Sequence, residues 1–195
     1  MGYKLILFLG SVRDGRNVVR IAPFIKRKLE ERGHDVTVFD PIEMEFPMLK
    51  KPLHFHGPNE KPPEWLVKYN KIIEEADGYV AITAEYNRCI APALTNMLDH
   101  FPIKSFKCKP CSIVCYSMGP YGGTQAGMQL RYFLGELGMV TPQFIFSTPF
   151  VHQAFTEDGK PLTDRATTGI EKLAKELEWY CSALKNHRDK YGISE

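Results

Sequence analysis

Hydrophobic positions along this chain change period repeatedly, and the changes mark out its elements. Tyr3–Leu9 is a near-continuous apolar run, the pattern of a strand buried on both faces. From Asn17 to Arg32, Val18, Ile21, Ile25 and Leu29 recur at helical spacing among charged residues, and Gly33 ends the helix. Pro23, inside that pattern, removes one backbone hydrogen bond or kinks the helix. His34–Asp40 predicts a second strand, whereas Pro41–Pro63 holds six prolines without a clear period and reads as a long surface excursion. Glu64–Ala76 is helical, Gly78–Thr83 is a third strand, and Ala93–Phe101 is a third helix following Pro92. Cys111–Tyr116 predicts the fourth strand, Thr124–Leu137 the fourth helix, and Val140–Phe146 the fifth strand, with Pro142 near its start. After the loop Ser147–Asp164 comes a long amphipathic helix, Arg165–Lys185.

Strands alternating with helices predict βαβ units and a parallel sheet. Right-handed crossovers leave two common topologies for five strands, a dinucleotide-binding half or the flavodoxin-like order 2-1-3-4-5. Both place ligands at the C-terminal ends of the strands, where strand order reverses. The length of 195 residues suits a single domain spanning 1–195, and 44% hydrophobic with 25% charged residues is a globular composition. A net charge of +2 argues against a nucleic-acid or anionic-membrane partner. No apolar stretch is long enough for a membrane span or signal peptide, so the expected location is cytoplasmic. Five cysteines without a secretion signal argue against a disulfide framework. Cys108-Lys-Pro-Cys111 has the spacing of a redox or metal pair. A β-rich run follows it where a thioredoxin-type motif needs a helix, so ordinary cysteines at the start of a buried strand are expected. The six histidines are scattered, and no metal site is expected, His54-x-His56 included.

Three loops at the functional end of the sheet are chemically unusual. The first, Gly10–Asn17, lacks both the G-x-G-x-x-G and the G-x-x-x-x-G-K-[ST] pattern. It offers Ser11, Arg13, Arg16 and Asn17 as donors at a helix N-terminus, which suits a terminal phosphate monoester. A polar turn capped by Asn17 is the alternative. The second, Ala84-Glu85-Tyr86-Asn87-Arg88, sets an aromatic ring beside an amide and a carboxylate, able to stack on a heteroaromatic ring and bond its edge; a solvated turn is the alternative. The third, Ser117–Gln125, carries Gly119, Gly122 and Gly123, which let backbone N–H groups approach a flat ligand.

Gly10-Ser-x-Arg13, Glu85-Tyr86-Asn87 followed by Ala91-Pro-Ala-Leu94-x-Asn96-x-Leu98-Asp99, and Ser117-x-Gly119-x-x-Gly122-Gly123 together resemble the NAD(P)H-dependent FMN reductase family of quinone, azo-dye and FMN reductases. The resemblance spans about residues 3–146. Ala84 stands where the family has a proline, Gly15 where its phosphate loop has a second serine, and Arg88 and Cys89 where it more often has small residues. The resemblance implies a flavodoxin-like three-layer sandwich, a five-stranded parallel sheet in order 2-1-3-4-5 with helices on both faces. It implies non-covalent FMN, its phosphate on Ser11, Arg13, Arg16 and Asn17 and its ring between Glu85-Tyr86-Asn87 and Ser117, Gly119, Gly122 and Gly123. NADPH or NADH is the implied co-substrate, with Arg88 and Tyr121 on that side. The reaction expected is ping-pong hydride transfer through flavin N5 to a quinone, azo compound or free flavin, with no side chain as nucleophile or base. A homodimer or homotetramer is implied, with a small-molecule electron acceptor as the other partner. An FMN-binding electron carrier or redox sensor without turnover, and a non-flavin module for another phosphate-bearing ligand, are the competing classes.

Overall fold

The computed structural model describes residues 2–44 and 46–193. Five parallel strands, β1 (Lys4–Leu9), β2 (Asp35–Phe39), β3 (Gly78–Tyr86), β5 (Cys111–Tyr116) and β6 (Ile145–Thr148), form a sheet in the order β2-β1-β3-β5-β6. This is the predicted order, renumbered because β3 also pairs with a short antiparallel strand, β4 (Cys89–Ile90), that sequence reasoning missed. Leu5, Leu7 and Leu9 bury against helices α1 (Val18–Glu31) and α7 (Asp164–Tyr191). The alternate residues Ile6 and Phe8 bury against α2 (Glu64–Glu75), α3 (Pro92–Asp99) and α5 (Thr124–Glu136). Burial on both faces is why β1 reads as an unbroken apolar run, and each such large side chain stabilises by about 1.5–3 kcal/mol.

Three expectations about elements are corrected. The fifth strand is Ile145–Thr148; Val140 makes only an isolated bridge to Pro110, so Pro142 lies before the ladder. Its removal from the strand follows from the missing N–H. Two short helices were not anticipated, α6 (Val151–Ala154) in the segment read as a loop and α4 (Ile103–Phe106) in one assigned to no element, each too brief to show a helical period. The helix α1 does contain Pro23, and Asn17 begins it without a side-chain capping bond. The proline-rich excursion holds one 3₁₀ turn at Leu53–Phe55.

Cys111 is the first residue of β5 and fully buried, and burial pushes its thiol far above the ordinary range. Cys108 has a left-handed φ of 61° at the turn before it, and all five cysteines are free thiols. No helix among the described residues is long and apolar enough to cross a membrane.

Candidate functional site

The loop after β1 is held from below. Ser11 is 1% exposed, and its Oγ lies 2.5 Å from the Tyr86 hydroxyl at the end of β3. Arg16 Nη1 donates to the Ser11 carbonyl (2.9 Å) and to Asp40 Oδ1 (2.6 Å), and Nη2 donates to Asp40 Oδ2 (2.5 Å). Both side chains of this pair are largely buried. The expectation that Arg16 is a dedicated phosphate donor is therefore modified: most of its fork is engaged by Asp40, and it braces the loop from β2. Arg13 takes the more open position, its guanidinium stacked 3.6 Å above the Tyr86 ring. The first turn of α1 carries no acidic residue, so its positive end is uncompensated by its own side chains.

The expected second loop is in large part strand. β3 runs on through Glu85 and Tyr86, which pair with Ile90 and Cys89, and Asn87 and Arg88 form the two-residue turn between them. Both have left-handed φ, 53° and 69°, as a type I′ hairpin turn demands. Asn tolerates this, whereas Arg88 pays about 1–2 kcal/mol of steric strain. The turn is pinned by Gln129 Nε2 donating to the Arg88 carbonyl (2.9 Å), and the Arg88 guanidinium lies 5.2 Å over the Tyr121 ring. Glu85 is also engaged: its Oε2 accepts from the backbone N–H groups of Gln125 (3.0 Å) and Ala126 (3.2 Å). It caps α5, a use of the carboxylate different from the ring-edge contact expected of it.

In the third loop, Ser117 Oγ donates to the Gly119 carbonyl (3.1 Å). Gly122 and Gly123 have φ of 62° and 77°. A Cβ at Gly122 would lie 2.8 Å from the Pro149 nitrogen, and one at Gly123 would lie 2.8 Å from the Tyr116 backbone. The chain's own packing thus demands these glycines, before any ligand is considered.

Between the three segments lies a cavity of about 380 Å³. Of the anticipated residues, Arg13, Arg16, Asn17, Glu85, Tyr86 and Ser117 line it. Ser11 sits beneath through its bond to Tyr86, while Asn87, Arg88, Gly119, Tyr121, Gly122 and Gly123 are not in its wall. Its wall also includes Tyr116 and Met118, which sequence reasoning passed over; Tyr116 closes β5 and read as core. Tyr116 is 4% exposed, and its hydroxyl has no hydrogen-bond partner among the described residues. Burial raises its pKa, with Tyr86 adding to the shift and the nearby Ser11 hydroxyl, Arg16 and Val18 backbone opposing it, so the group stays protonated beside the start of α1. A buried hydroxyl that makes no full hydrogen bond, the open Arg13, what Asp40 leaves of Arg16 and a helix N-terminus make a set that a phosphate monoester satisfies. Among the described residues no group of three or more His, Cys, Asp or Glu is placed to share a metal ion.

Comparison with known proteins agrees with this geometry. An NAD(P)H-dependent FMN reductase of Schizosaccharomyces pombe is 30% identical over 138 residues, 70% of this chain and 68% of the yeast protein. A quinone reductase of Escherichia coli is 35% identical over 79 residues, 37% of this chain and 42% of its own. In three dimensions the flavoenzyme NAD(P)H:(acceptor) oxidoreductase of Paracoccus denitrificans superposes with a TM-score of 0.70 at 21% identity, covering 95% of this chain and 98% of that one, a likeness of fold. The family description "NADPH-dependent FMN reductase" matches residues 3–153, more than three quarters of the molecule; the chain belongs to that family of FMN-dependent, NAD(P)H-oxidising enzymes.

Proposed function

We propose that this protein passes reducing equivalents from NAD(P)H to a quinone, azo compound or free flavin, with donor and acceptor using one site in alternation. The observation that carries the reading is the cavity at the ends of β1, β3 and β5, where Arg13, the start of α1 and a buried Tyr116 hydroxyl that makes no full hydrogen bond converge. When bound, FMN supplies the hydride chemistry itself. The residues supply the rest. Ser11, Arg13, Asn17 and Tyr116 donate to its phosphate, Arg16 contributes what its Asp40 pair leaves over, and Tyr86 links the phosphate loop to the ring-side segments through Ser11. Glu85, by capping α5, holds the Ser117–Gly123 loop in register against the hairpin. Asn87, Gly119, Gly122 and Gly123 border the ring's position, and Arg88 and Tyr121 form a paired cationic and aromatic surface on the NAD(P)H side. Residues 1–195 act as one FMN-binding domain, assembled as a homodimer or homotetramer.

The purified protein should carry a yellow flavin spectrum that NADPH bleaches anaerobically and a quinone restores. Initial rates at several fixed acceptor concentrations should give parallel double-reciprocal lines; intersecting lines would replace alternation with a ternary complex. Arg13→Ala should loosen FMN several-fold to about a hundredfold, the scale of one charge-assisted contact. Protein that takes up no added FMN would refute the reading.

A further inference from the structure

Arg88 stands at the β3–β4 turn in a conformation that its side chain disfavours. Its φ of 69° lies in the left-handed region, where glycine is at ease and a residue bearing a Cβ is strained. The turn needs positive φ at both central positions, and glycine at the second is the usual solution. The fold offsets little of the strain that arginine brings instead. Its side chain is exposed, and its backbone carbonyl accepts from Gln129 Nε2 (2.9 Å), a bond that any residue there would make. The guanidinium makes no hydrogen bond or ion pair among the described residues. Glu85, the carboxylate of the same hairpin, is committed to the N–H groups of Gln125 and Ala126. A strained residue that holds an unpaired charge points to a function outside the fold itself.

Position gives the charge its use. The guanidinium lies 5.2 Å over the ring of Tyr121, which is 64% exposed. Tyr86, just before the turn, and Met118, in the loop that carries Tyr121, both line the cavity between the three segments. The stack therefore joins two of the segments that enclose that cavity, and it holds the planar donors of the guanidinium in place on open surface. A reduced nicotinamide nucleotide that reaches a flavin there brings a pyrophosphate, and NADPH brings a 2′-phosphate as well. Guanidinium donors match phosphate oxygens in both geometry and charge. We propose that Arg88, steadied by Tyr121, binds a phosphate of the reduced nicotinamide nucleotide and so makes the protein select nucleotides over phosphate-free hydride donors. The inference rests on the reading of the cavity as the flavin site.

The test is anaerobic stopped-flow reduction of FMN-loaded protein by NADPH, by NADH and by 1-benzyl-1,4-dihydronicotinamide, which carries the same reactive ring without a phosphate. For Arg88→Gln and Arg88→Gly, the second-order rate constant for a nucleotide relative to that for the benzyl donor should fall about 10- to 100-fold, the scale of one charge-assisted contact. A fall with NADPH alone assigns the 2′-phosphate, and an equal fall with both nucleotides assigns the pyrophosphate. Arg88→Gly relaxes the turn, so it should unfold at a higher urea concentration than Arg88→Gln while showing the same kinetic loss, a split that a merely structural arginine would not produce. Nucleotide-to-benzyl ratios unchanged in both variants, or Arg88→Gly less stable than Arg88→Gln, would overturn the proposal. Wild-type flavin that no donor bleaches would instead overturn the reading of the cavity, and this inference with it.

Discussion

Replacing Tyr116 by Phe should move two measurements in opposite directions. The substitution deletes one oxygen from a residue that is 4% exposed, and it leaves the ring's packing in the α1-facing core unchanged. Without FMN that oxygen makes no full hydrogen bond, with only Ser11 and the Val18 backbone close to it, and an under-satisfied buried hydroxyl costs up to about 1–3 kcal/mol. Apoprotein carrying the Phe should therefore be as stable as wild type or more stable, by up to about 2 kcal/mol in urea unfolding. With FMN the same oxygen donates to a charged phosphate, a bond worth about 1.5–3 kcal/mol, so the Kd should rise about 10- to 150-fold. Quenching of FMN fluorescence measures the affinity, and riboflavin, which lacks the phosphate, supplies the control: its affinity should stay within about twofold. Equal losses for FMN and riboflavin, or apoprotein destabilised by more than about 1 kcal/mol, would show that Tyr116 serves the fold and not the phosphate.

Other perturbations have equally definite outcomes. Asp40→Ala strands the largely buried Arg16 guanidinium and should cost about 3–5 kcal/mol in urea unfolding; a loss under about 1 kcal/mol would mean the pair is no brace. Lys109 is 6% exposed, and its Nζ donates to the carbonyls of Ile73, Glu74 and Ser105, while burial and the nearby Arg188 lower its pKa to about 8. Between about pH 8 and 10.5 the unfolded chain binds the extra proton, so the stability of wild type relative to Lys109→Met should rise with pH by up to about 3 kcal/mol. A difference flat across that range would remove the depressed lysine from the account. A thiol reagent at pH 8 should label exposed Cys89 fast, with Cys111, Cys115 and Cys181 reacting only on unfolding, since burial pushes the last two to about 12. Rapid native labelling of Cys111 would reopen a redox role for the Cys108–Cys111 pair.

How much of this was legible beforehand depends on the distance over which each feature is decided. Strands β1 and β5 and helices α2 and α5 were placed within a residue or so, because a buried face shows as a local period in the residues that form it. The β3–β4 hairpin was not, since Asn87-Arg88 lacks the glycine that ordinarily announces a tight turn, and the fifth strand was misplaced because its apolar run continued upstream of the ladder. The loops bearing the site were found from the rule that ligands sit at strand C-terminal ends, which needs only the order of elements.

The amino-acid pattern alone determined the alternation of elements and the three segments that meet at the functional edge, because burial preference and backbone freedom are properties of each residue and its near neighbours; it left two sheet orders open, and the family resemblance selected the one observed. Only the folded chain decided what the polar groups in those segments do. Ser11 finds Tyr86 across 75 residues, Glu85 finds the start of α5 across 40, and Arg16 finds Asp40 across 24. Partners that distant leave no periodic trace, and which donors remain for a ligand is known only after the protein has satisfied its own.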